Sequence, residues 1–500
     1  MTMWVQVGSG SMIPSDNSSP GRFSTAVKLY RSDMVFRGFC DLAMAGVLVL
    51  AFSTNWSGVG SSLGGIAQHL GSGSGPPVVN LSAQSNSAIG QEIKKSLASI
   101  HIDRLTIEQS GDPVAGKLLQ IADADRGNKP DLALDLLAGL DDRNPLIAYV
   151  KAIVMMRSPG AGKIPEILAL LRRATTQGIY PAYLAYGQNL FLMLMADEQQ
   201  TLPAGERVLI DDAGVAHPAS RIEIALAADT WWQKAGAFNR PEGLRMAGFA
   251  KAQGLSGKVD LVSAAAMWRI AANAGDALSQ YELGLLLLGG YGVQADLKEA
   301  VRLFRLARHK LPVAALALAT AQLSSSLAGN MAAAEEGMLA AEEAVERFKG
   351  KKSEGMAHYT LGVYLYQAAP PSLRDLGRGV DEFEKATRLS VPVAASLAGA
   401  AYRNGIGKPR NPVCAYAFYY RLEPNQYVWS DPPPALKEPI ASILTELEAE
   451  IGDAGISEAK NISLQLLPSR NGTGDFEYRK FFFGEEQAKP MAWKSVCAPQ

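Results

Sequence analysis

Two segments of this 500-residue chain come close to motifs that carry out nucleotide or acyl chemistry. Residues 111–118 nearly fit a phosphate-binding loop, but Leu118 stands where a Ser or Thr hydroxyl should hold magnesium. Residues 60–64 read Gly-Ser-Ser-Leu-Gly, the pattern around a nucleophilic serine, but they lie in a Gly/Ser-rich stretch and not between a strand and a helix. We therefore predict neither chemistry, and we read Gly111-Asp112-Pro113 as a helix start.

The titratable side chains form no recognisable catalytic or metal-binding set. The five histidines are widely scattered, and none has another His or Cys at the spacing of metal ligands. Acidic pairs such as Glu335-Glu336 lie in an Ala-rich helical pattern, which indicates a solvated helix face. We predict no catalytic residue, no cofactor, no metal and no enzymatic activity.

A basic stripe and several tyrosines are the candidates for contact with a partner. The stripe consists of Arg302, Arg305, Arg308 and Lys310. It could contact an acidic partner, although cations also favour the last turn of a helix. Aromatic side chains that could be exposed, with packing as the alternative, are Tyr281, Tyr359 and Tyr402. The predicted partner contacts are Tyr281, Arg302 and Arg305.

Composition excludes several classes of protein. Hydrophobic residues make up 48% of the chain and charged residues 19%, which is enough apolar material for a large core. The formal charge of -1 does not favour a general nucleic-acid binder, which would be more basic. Three cysteines exclude a disulfide-dense scaffold.

The N-terminal region has the pattern of an export signal. Residues 1–33 are polar and lack periodicity, so we predict a disordered or mis-assigned start, with translation from Met34 as a hypothesis. Basic residues Lys28, Arg31 and Arg37 precede the short apolar run 42–52, and the segment 34–56 suits a signal peptide better than a membrane span. A membrane anchor through residues 39–56 is the close alternative, and a buried helix of the fold is a third interpretation.

The remaining chain divides by composition and periodicity. Residues 57–111 are a Gly/Ser/Pro-rich linker and lead-in, suited to tethering a folded body. Residues 112–425 show apolar residues at helical spacing, interrupted by an insertion at 196–220 that could form a hairpin around Asp212. Residues 426–500 are predicted to form a capping helix and a C-terminal tail.

Residues within the helical region repeat with a period of 36. Trp268 lies 36 positions before Phe304 and 36 after Trp232. Gly284 is followed at +6, +8, +16 and +20 by Gly290, Gly292, Ala300 and Phe304, and Gly399 is followed at the same intervals by Gly405, Gly407, Ala415 and Tyr419. Each unit is predicted to form two antiparallel helices, because the Gly-x-Gly turn lets the chain reverse its direction and because Asp276 and Asp296 can cap helices.

These residues also carry a family resemblance. The succession Ala-Ala-x-x-Gly-Asp, Leu-Gly, Gly-x-Gly-Val and Asp-x-x-x-Ala in residues 263–308, with a similar run in 392–422, resembles the Sel1-like repeat, a relative of tetratricopeptide repeats. The chain departs from the family pattern at Ser279, where Ala is usual, and at Leu287, where Tyr is usual. The resemblance implies an all-α, right-handed α/α solenoid of about eight helix pairs, in which the aligned positions are structural.

The resemblance further implies a scaffold for protein–protein interaction. It suggests an exported bacterial member that helps to assemble an export, secretion or polysaccharide system in the cell envelope, either periplasmic or anchored in the inner membrane. A periplasmic regulator that restrains a sensor or enzyme is the alternative, and an enzyme acting on the cell wall is a further one. We expect protein partners in the envelope and no nucleic acid.

Cys414 and Cys497 could form a disulfide if the chain is exported. Such a bridge would fix the tail onto the last clear repeat. The alternative is that Cys414 is a buried free thiol, because the sequence alone cannot supply the distance between the two Cα atoms.

Overall fold

The computed structural model describes most of the chain after residue 100. The described residues are 101–158, 163–198, 202, 205–238, 240–255, 257–351, 353–389, 391–422, 434–466 and 497. The predicted start, the export signal and residues 57–100 of the predicted linker and lead-in, which include the serine motif at 60–64, lie outside these ranges, as does most of the predicted tail.

Helices account for nearly all regular structure in these ranges. The first six are α1 Arg104–Glu108, α2 Ala115–Arg126, α3 Pro130–Leu137, α4 Pro145–Arg157, α5 Ile164–Thr176 and α6 Pro181–Glu198. A hairpin of β1 Val208–Ile210 and β2 Ala216–Pro218 precedes α7 Arg221–Ala237, α8 Pro241–Gln253, α9 Leu261–Asn273, α10 Ala277–Gly289, α11 Leu297–Ala307 and α12 Pro312–Leu327. The last six are α13 Met331–Phe348, α14 Glu354–Val363, α15 Leu376–Arg388, α16 Pro392–Asn404, α17 Pro412–Tyr420 and α18 Pro434–Gln465.

Helices α2 to α17 form eight pairs, and their connections are short except between α6 and α7, where the hairpin lies, and between α14 and α15. Each helix packs against the helix before it and the helix after it. The only strands among the described residues are β1 and β2, which pair antiparallel with Val208 opposite Pro218. The predicted all-α solenoid of about eight helix pairs is confirmed, and so is the small hairpin in its insertion.

The two helices of a pair have different surroundings. In α10 and α12, residues around almost the whole circumference are buried. By contrast, α11 and α15 bury one apolar face and expose charged residues on the other. Because a helix that is buried all round must be covered on every side, the first helices form the interior of the stack and the second helices its outer layer.

A glycine facing an aromatic ring joins the two helices of several pairs. A Cβ atom added at Gly284 would lie 2.6 Å from the Phe304 ring, far closer than real Cβ atoms approach. The contacts separated by twenty positions are Gly248–Trp268, Gly284–Phe304 and Gly399–Tyr419. The spacing of twenty between glycine and ring therefore recurs because each ring fills the space that a side chain on the facing helix would need.

The Gly-x-Gly turn fixes how one pair meets the preceding one. Gly290 and Gly292 have φ of 68° and 69°, a conformation that favours glycine. Gly292 lies against the start of α9, where an added Cβ would be 2.7 Å from the carbonyl carbon of Leu261. The turn closes when the Asp296 N–H donates to the Leu287 carbonyl at 2.9 Å, and the Asp296 side chain then caps α11. The equivalent residues before α17 are Gly405, Gly407, Leu376 and Asn411.

One repeat contains an additional residue. The closing bond spans nine positions at Asp260, Asp296 and Asn411, but at Asp375 it reaches the carbonyl of Leu365, ten positions earlier. The extra residue lies in a π-turn, Tyr364–Ala368, which follows α14 directly. A π-turn accommodates one more residue than an α-helical turn, so the helices that follow keep their packing.

The π-turn also aims one aromatic side chain. The Tyr364 hydroxyl donates to the Ala319 carbonyl at 2.6 Å. Its ring occupies the space beside Gly337, where an added Cβ would collide with the phenol. In the α12–α13 pair, the glycine therefore lies on the second helix and the ring comes from the following pair.

The final helix covers the end of the stack. Helix α18 packs on α17 and bends at Gly452, which has φ of 63°. Arg410 donates two hydrogen bonds to Glu450, at 2.6 and 2.7 Å. A disulfide joins Cys414 on α17 to Cys497, with Cα atoms 6.0 Å apart.

Candidate partner-binding surface

Four aromatic side chains meet where the α5–α6 and α7–α8 connections lie side by side. Tyr180 and Phe238 stack with ring centroids 4.0 Å apart, yet they remain 47% and 43% exposed. Tyr183 lies 5.5 Å from Phe238 and 5.4 Å from Trp231, between centroids. We call Tyr180, Tyr183, Trp231 and Phe238 the aromatic face.

Two cations hold the indole of this face in place. Lys234 Nζ lies 4.1 Å from the centroid of the Trp231 ring, and Arg172 Cζ lies 4.8 Å from it. Arg172 also donates a hydrogen bond to Asp212 at the tip of the hairpin. One guanidinium therefore links the insertion to the aromatic face.

The chemistry of the aromatic face suits recognition. Exposed Tyr and Phe rings supply a large apolar contact area and lose little conformational entropy on binding. Tyr, Trp and Arg are also the residue types that most often dominate the energy of protein interfaces. The face can bind side chains of a partner, and it contains no pair of groups positioned for acid–base or nucleophilic chemistry.

The aromatic face is not among the residues predicted from the sequence, although the sequence carries one signal for it. Of the adjacent residues Trp231 and Trp232, only Trp232 lies 36 positions before Trp268 and hence in the core register. Trp232 is fully buried beside Gly187, as the period requires once the insertion is allowed for. Its neighbour on the helix is therefore directed to another face.

The prediction of Tyr281 as a partner contact is wrong. Its side chain is fully buried, with its ring centroid 6.0 Å from that of Phe304. Tyr281 lies one helical turn before Gly284, on the side that faces the second helix. Tyr359 and Tyr402 are buried too, and the Tyr402 hydroxyl donates to Glu384 at 2.5 Å.

The predicted basic contacts are exposed, but each already has an acidic partner. Arg302 donates to both carboxylate oxygens of Glu299, at 2.7 and 2.8 Å. Arg305 binds Glu336 on α13 with a bond of 2.7 Å and a second, shorter one. These pairs reduce the positive charge of the stripe, so its contact with an acidic partner stays a prediction.

A buried charged cluster lies between α14 and α15. The His358 ring contacts Glu382 through Nδ1 and lies 3.8 Å from Glu354 through Nε2, while Lys385 donates to Glu382 at 2.8 Å. Burial raises the pKa of Glu382, but hydrogen bonds and charge from His358 and Lys385 outweigh burial, so the net pKa is lowered. The cluster reads as a paired structural network, and nowhere in the described ranges do three or more His, Cys, Asp or Glu side chains form a group able to hold a metal ion.

The segment 111–118, which nearly fits a phosphate-binding loop, leads into a helix, as predicted. Gly111 has φ of 65°, and the Asp112 side chain accepts the Val114 N–H at 2.9 Å just before α2. Asp112 also accepts a hydrogen bond from the Asn144 side chain at 2.7 Å. The carboxylate therefore orders the turn between helices.

Comparison with known proteins gives similarity at the level of solved structures. No family model and no curated protein matches the chain. A crystal structure of a Sel1 repeat protein from Oxalobacter formigenes is 17% identical, with a TM-score of 0.32 and coverage of 45% of this chain and 98% of that one. The c5321 protective antigen of uropathogenic Escherichia coli, described as displaying an SLR fold, is 16% identical, with a TM-score of 0.24 and coverage of 79% and 100%.

The described helices also bear on the membrane question. None of them combines the length and the apolar composition needed to cross a bilayer, and the apolar run 42–52 lies outside the described ranges.

The repeating unit itself is defined by this chain's own facing glycines, aromatic rings and cap residues. In those features the helix pairs are similar to Sel1-like repeats.

Proposed function

We propose that this protein is a non-catalytic scaffold that binds protein partners through the outer surface of its helix pairs. The observation that carries the proposal is the aromatic face, where Tyr180 and Phe238 are stacked and nearly half exposed. Monomeric proteins seldom leave such rings together in solvent without a use, because their burial is worth considerable free energy. Tyr183 on α6 packs against Phe238 and against Trp231 on α7, and such packing limits the rotamer freedom that binding would otherwise cost.

Site-specific photocrosslinking in the native host tests this proposal. A photoreactive phenylalanine analogue is placed at Tyr180 or Phe238, and at Leu339 on α13 as a control that is even more open to solvent. We expect the first two positions to crosslink the same partner protein and Leu339 to leave it uncrosslinked. Equal labelling from all three positions, or none from Tyr180 and Phe238, would contradict the assignment.

We also propose that the scaffold works outside the cytoplasm, in assembly of a cell-envelope system. The Cys414–Cys497 disulfide supports this location, because such bonds persist in oxidising compartments and are rare in the cytosol. Residues 34–56 supply the matching export signal or anchor. Mass spectrometry of the unreduced protein from envelope fractions, together with N-terminal sequencing, tests the location; free thiols in a cytosolic fraction would refute it.

A further inference from the structure

The segment that leads into the first helix pair lies outside the repeats and packs against them. Residues 101–108, which include α1, precede the repeats and belong to none of the pairs. Ile102 and Ile107 are buried, while Leu105 between them is 63% exposed. We call residues 101–108 the strap.

The polar contacts of the strap reach across the stack of repeats. The Asp103 side chain pairs with Arg240, which is 137 positions away and directly precedes α8. The Asp103 N–H donates to the Tyr149 hydroxyl on α4 at 3.1 Å. A segment that only capped the first helix pair would not contact the start of the fourth pair, where Arg240 lies. A ligand that lay across the pairs would contact the first pair and the fourth pair.

The strap also has charged contacts with α2. His101 Nδ1 lies 3.2 Å from Asp125, a carboxylate that is buried and held by Arg157 at 2.6 Å. Arg104 pairs with Asp123 on the same helix. Each charged or titratable residue from 101 to 104 thus meets a group of suitable charge on the solenoid.

This arrangement has the form of peptide recognition. The side chains of Ile102 and Ile107 are buried in the core, and the charged side chains of Asp103 and Arg104 pair with oppositely charged groups on the solenoid. The sequence of residues 57–88, which precedes the strap, is rich in Gly, Ser and Pro. This composition is typical of linkers, which allow an attached segment to bind and dissociate.

We propose that the strap is an intramolecular ligand that occupies a second partner site, formed by α2, α4 and Arg240. The partner is a peptide segment of the same chemistry: two aliphatic side chains five positions apart, with an acidic residue after the first and a basic residue next, as in Ile-Asp-Arg-Leu-Thr-Ile. This inference rests on the proposed function in one respect, that the chain binds protein partners. Strap and partner compete, so the strap regulates binding.

The test adds the strap in trans to the purified full chain. A fluorescein-labelled peptide copying residues 99–110 is titrated with wild type, with Ile107→Asp and with Leu105→Asp, and binding is followed by anisotropy. If the strap fills its site in about nine molecules of ten, releasing it tightens binding of the peptide about tenfold. We expect that gain for Ile107→Asp and wild-type affinity for Leu105→Asp, which adds the same charge at the exposed position of α1.

Further arms make the result decisive. Adding Arg240→Ala to Ile107→Asp should weaken peptide binding several-fold, and a peptide with Asp at both isoleucine positions should not bind. Hydrogen exchange on Ile107→Asp should show lost protection in α1 and retained protection in α2 and α4. The proposal is overturned if Ile107→Asp binds no better than Leu105→Asp, if the Asp peptide binds equally, or if α2 and α4 lose protection with the strap. Because this assay uses no partner, its failure leaves the crosslinking test of the aromatic face unaffected.

Discussion

The contact between Gly284 and Phe304 allows a quantitative test of why glycine and ring recur at a spacing of twenty residues. A Cβ atom at Gly284 would lie 2.6, 3.0 and 3.0 Å from three atoms of the Phe304 ring. Phe304 is fully buried, so its ring cannot move aside into solvent. Overpacking of this kind costs about 1–3 kcal/mol.

Gly116 provides a matched control for the same substitution. It also lies inside a helix, α2, and an added Cβ there would meet no atom within 4 Å. Replacing glycine by alanine contributes up to about 1 kcal/mol of stability in a helix interior such as position 284, and less at Gly116, the second residue of α2. We therefore expect Gly116→Ala to be neutral or stabilising, Gly284→Ala to be destabilising, and the two to differ by about 1–3 kcal/mol.

Urea unfolding followed by far-UV circular dichroism measures both free energies. Combining Gly284→Ala with Phe304→Leu should cost less than the sum of the two single changes, because leucine removes the ring that the new methyl group meets. If Gly284→Ala proves as stable as Gly116→Ala, ring–glycine contact is not what fixes this spacing of twenty.

Three further predictions follow from buried groups. Ser279→Ala should raise the free energy of unfolding by about 1 kcal/mol in urea, because the buried hydroxyl has no hydrogen-bond partner; a loss of stability would contradict this. The lowered pKa of Glu382 means that its carboxylate, bonded to His358, stabilises the fold above the unfolded-state pKa and that this contribution is lost as the pH falls through the folded value. Glu382→Gln should therefore flatten the decline of stability below about pH 5, and an unchanged acid limb would count against it. Reduction of the Cys414–Cys497 bridge, which closes a separation of 83 residues, should lower the unfolding free energy by about 2–4 kcal/mol, whereas an unchanged urea midpoint would refute a stabilising role.

The regular parts of the fold follow directly from local chemistry in the sequence. Asp276 and Asp296 accept the N–H groups of Ser279 and Glu299, at 2.8 and 2.9 Å, as expected of helix caps. Gly290 has the left-handed conformation expected of a turn glycine. Such features depend on residues within one or two turns of each other, so the pattern of types reveals them.

The features that sequence reasoning missed depend on contacts between distant segments. Tyr180 and Phe238 meet only because two connections, separated by a helix pair and the insertion, fold against each other. The contact of Asp103 with Arg240 crosses several pairs in the same way. Tyr281 stands beside the polar residues Gln280 and Glu282, which indicate a solvated face, yet all three are buried because α10 is covered nearly all round.

The π-turn at Tyr364–Ala368 bears on how this family of units tolerates insertions and deletions. One added residue in an α-helix would normally rotate everything beyond it by about 100°, taking the core side chains of that helix out of register. Here the π-turn takes up the added residue, so the helix that follows keeps its orientation. Phe383 still contacts Gly362, at a spacing of 21 residues instead of 20. An alignment that assumes units of constant length would therefore shift out of register at this point, although the helices in the structure keep their packing. Removing one residue from this turn is the change in length that the fold should tolerate most readily.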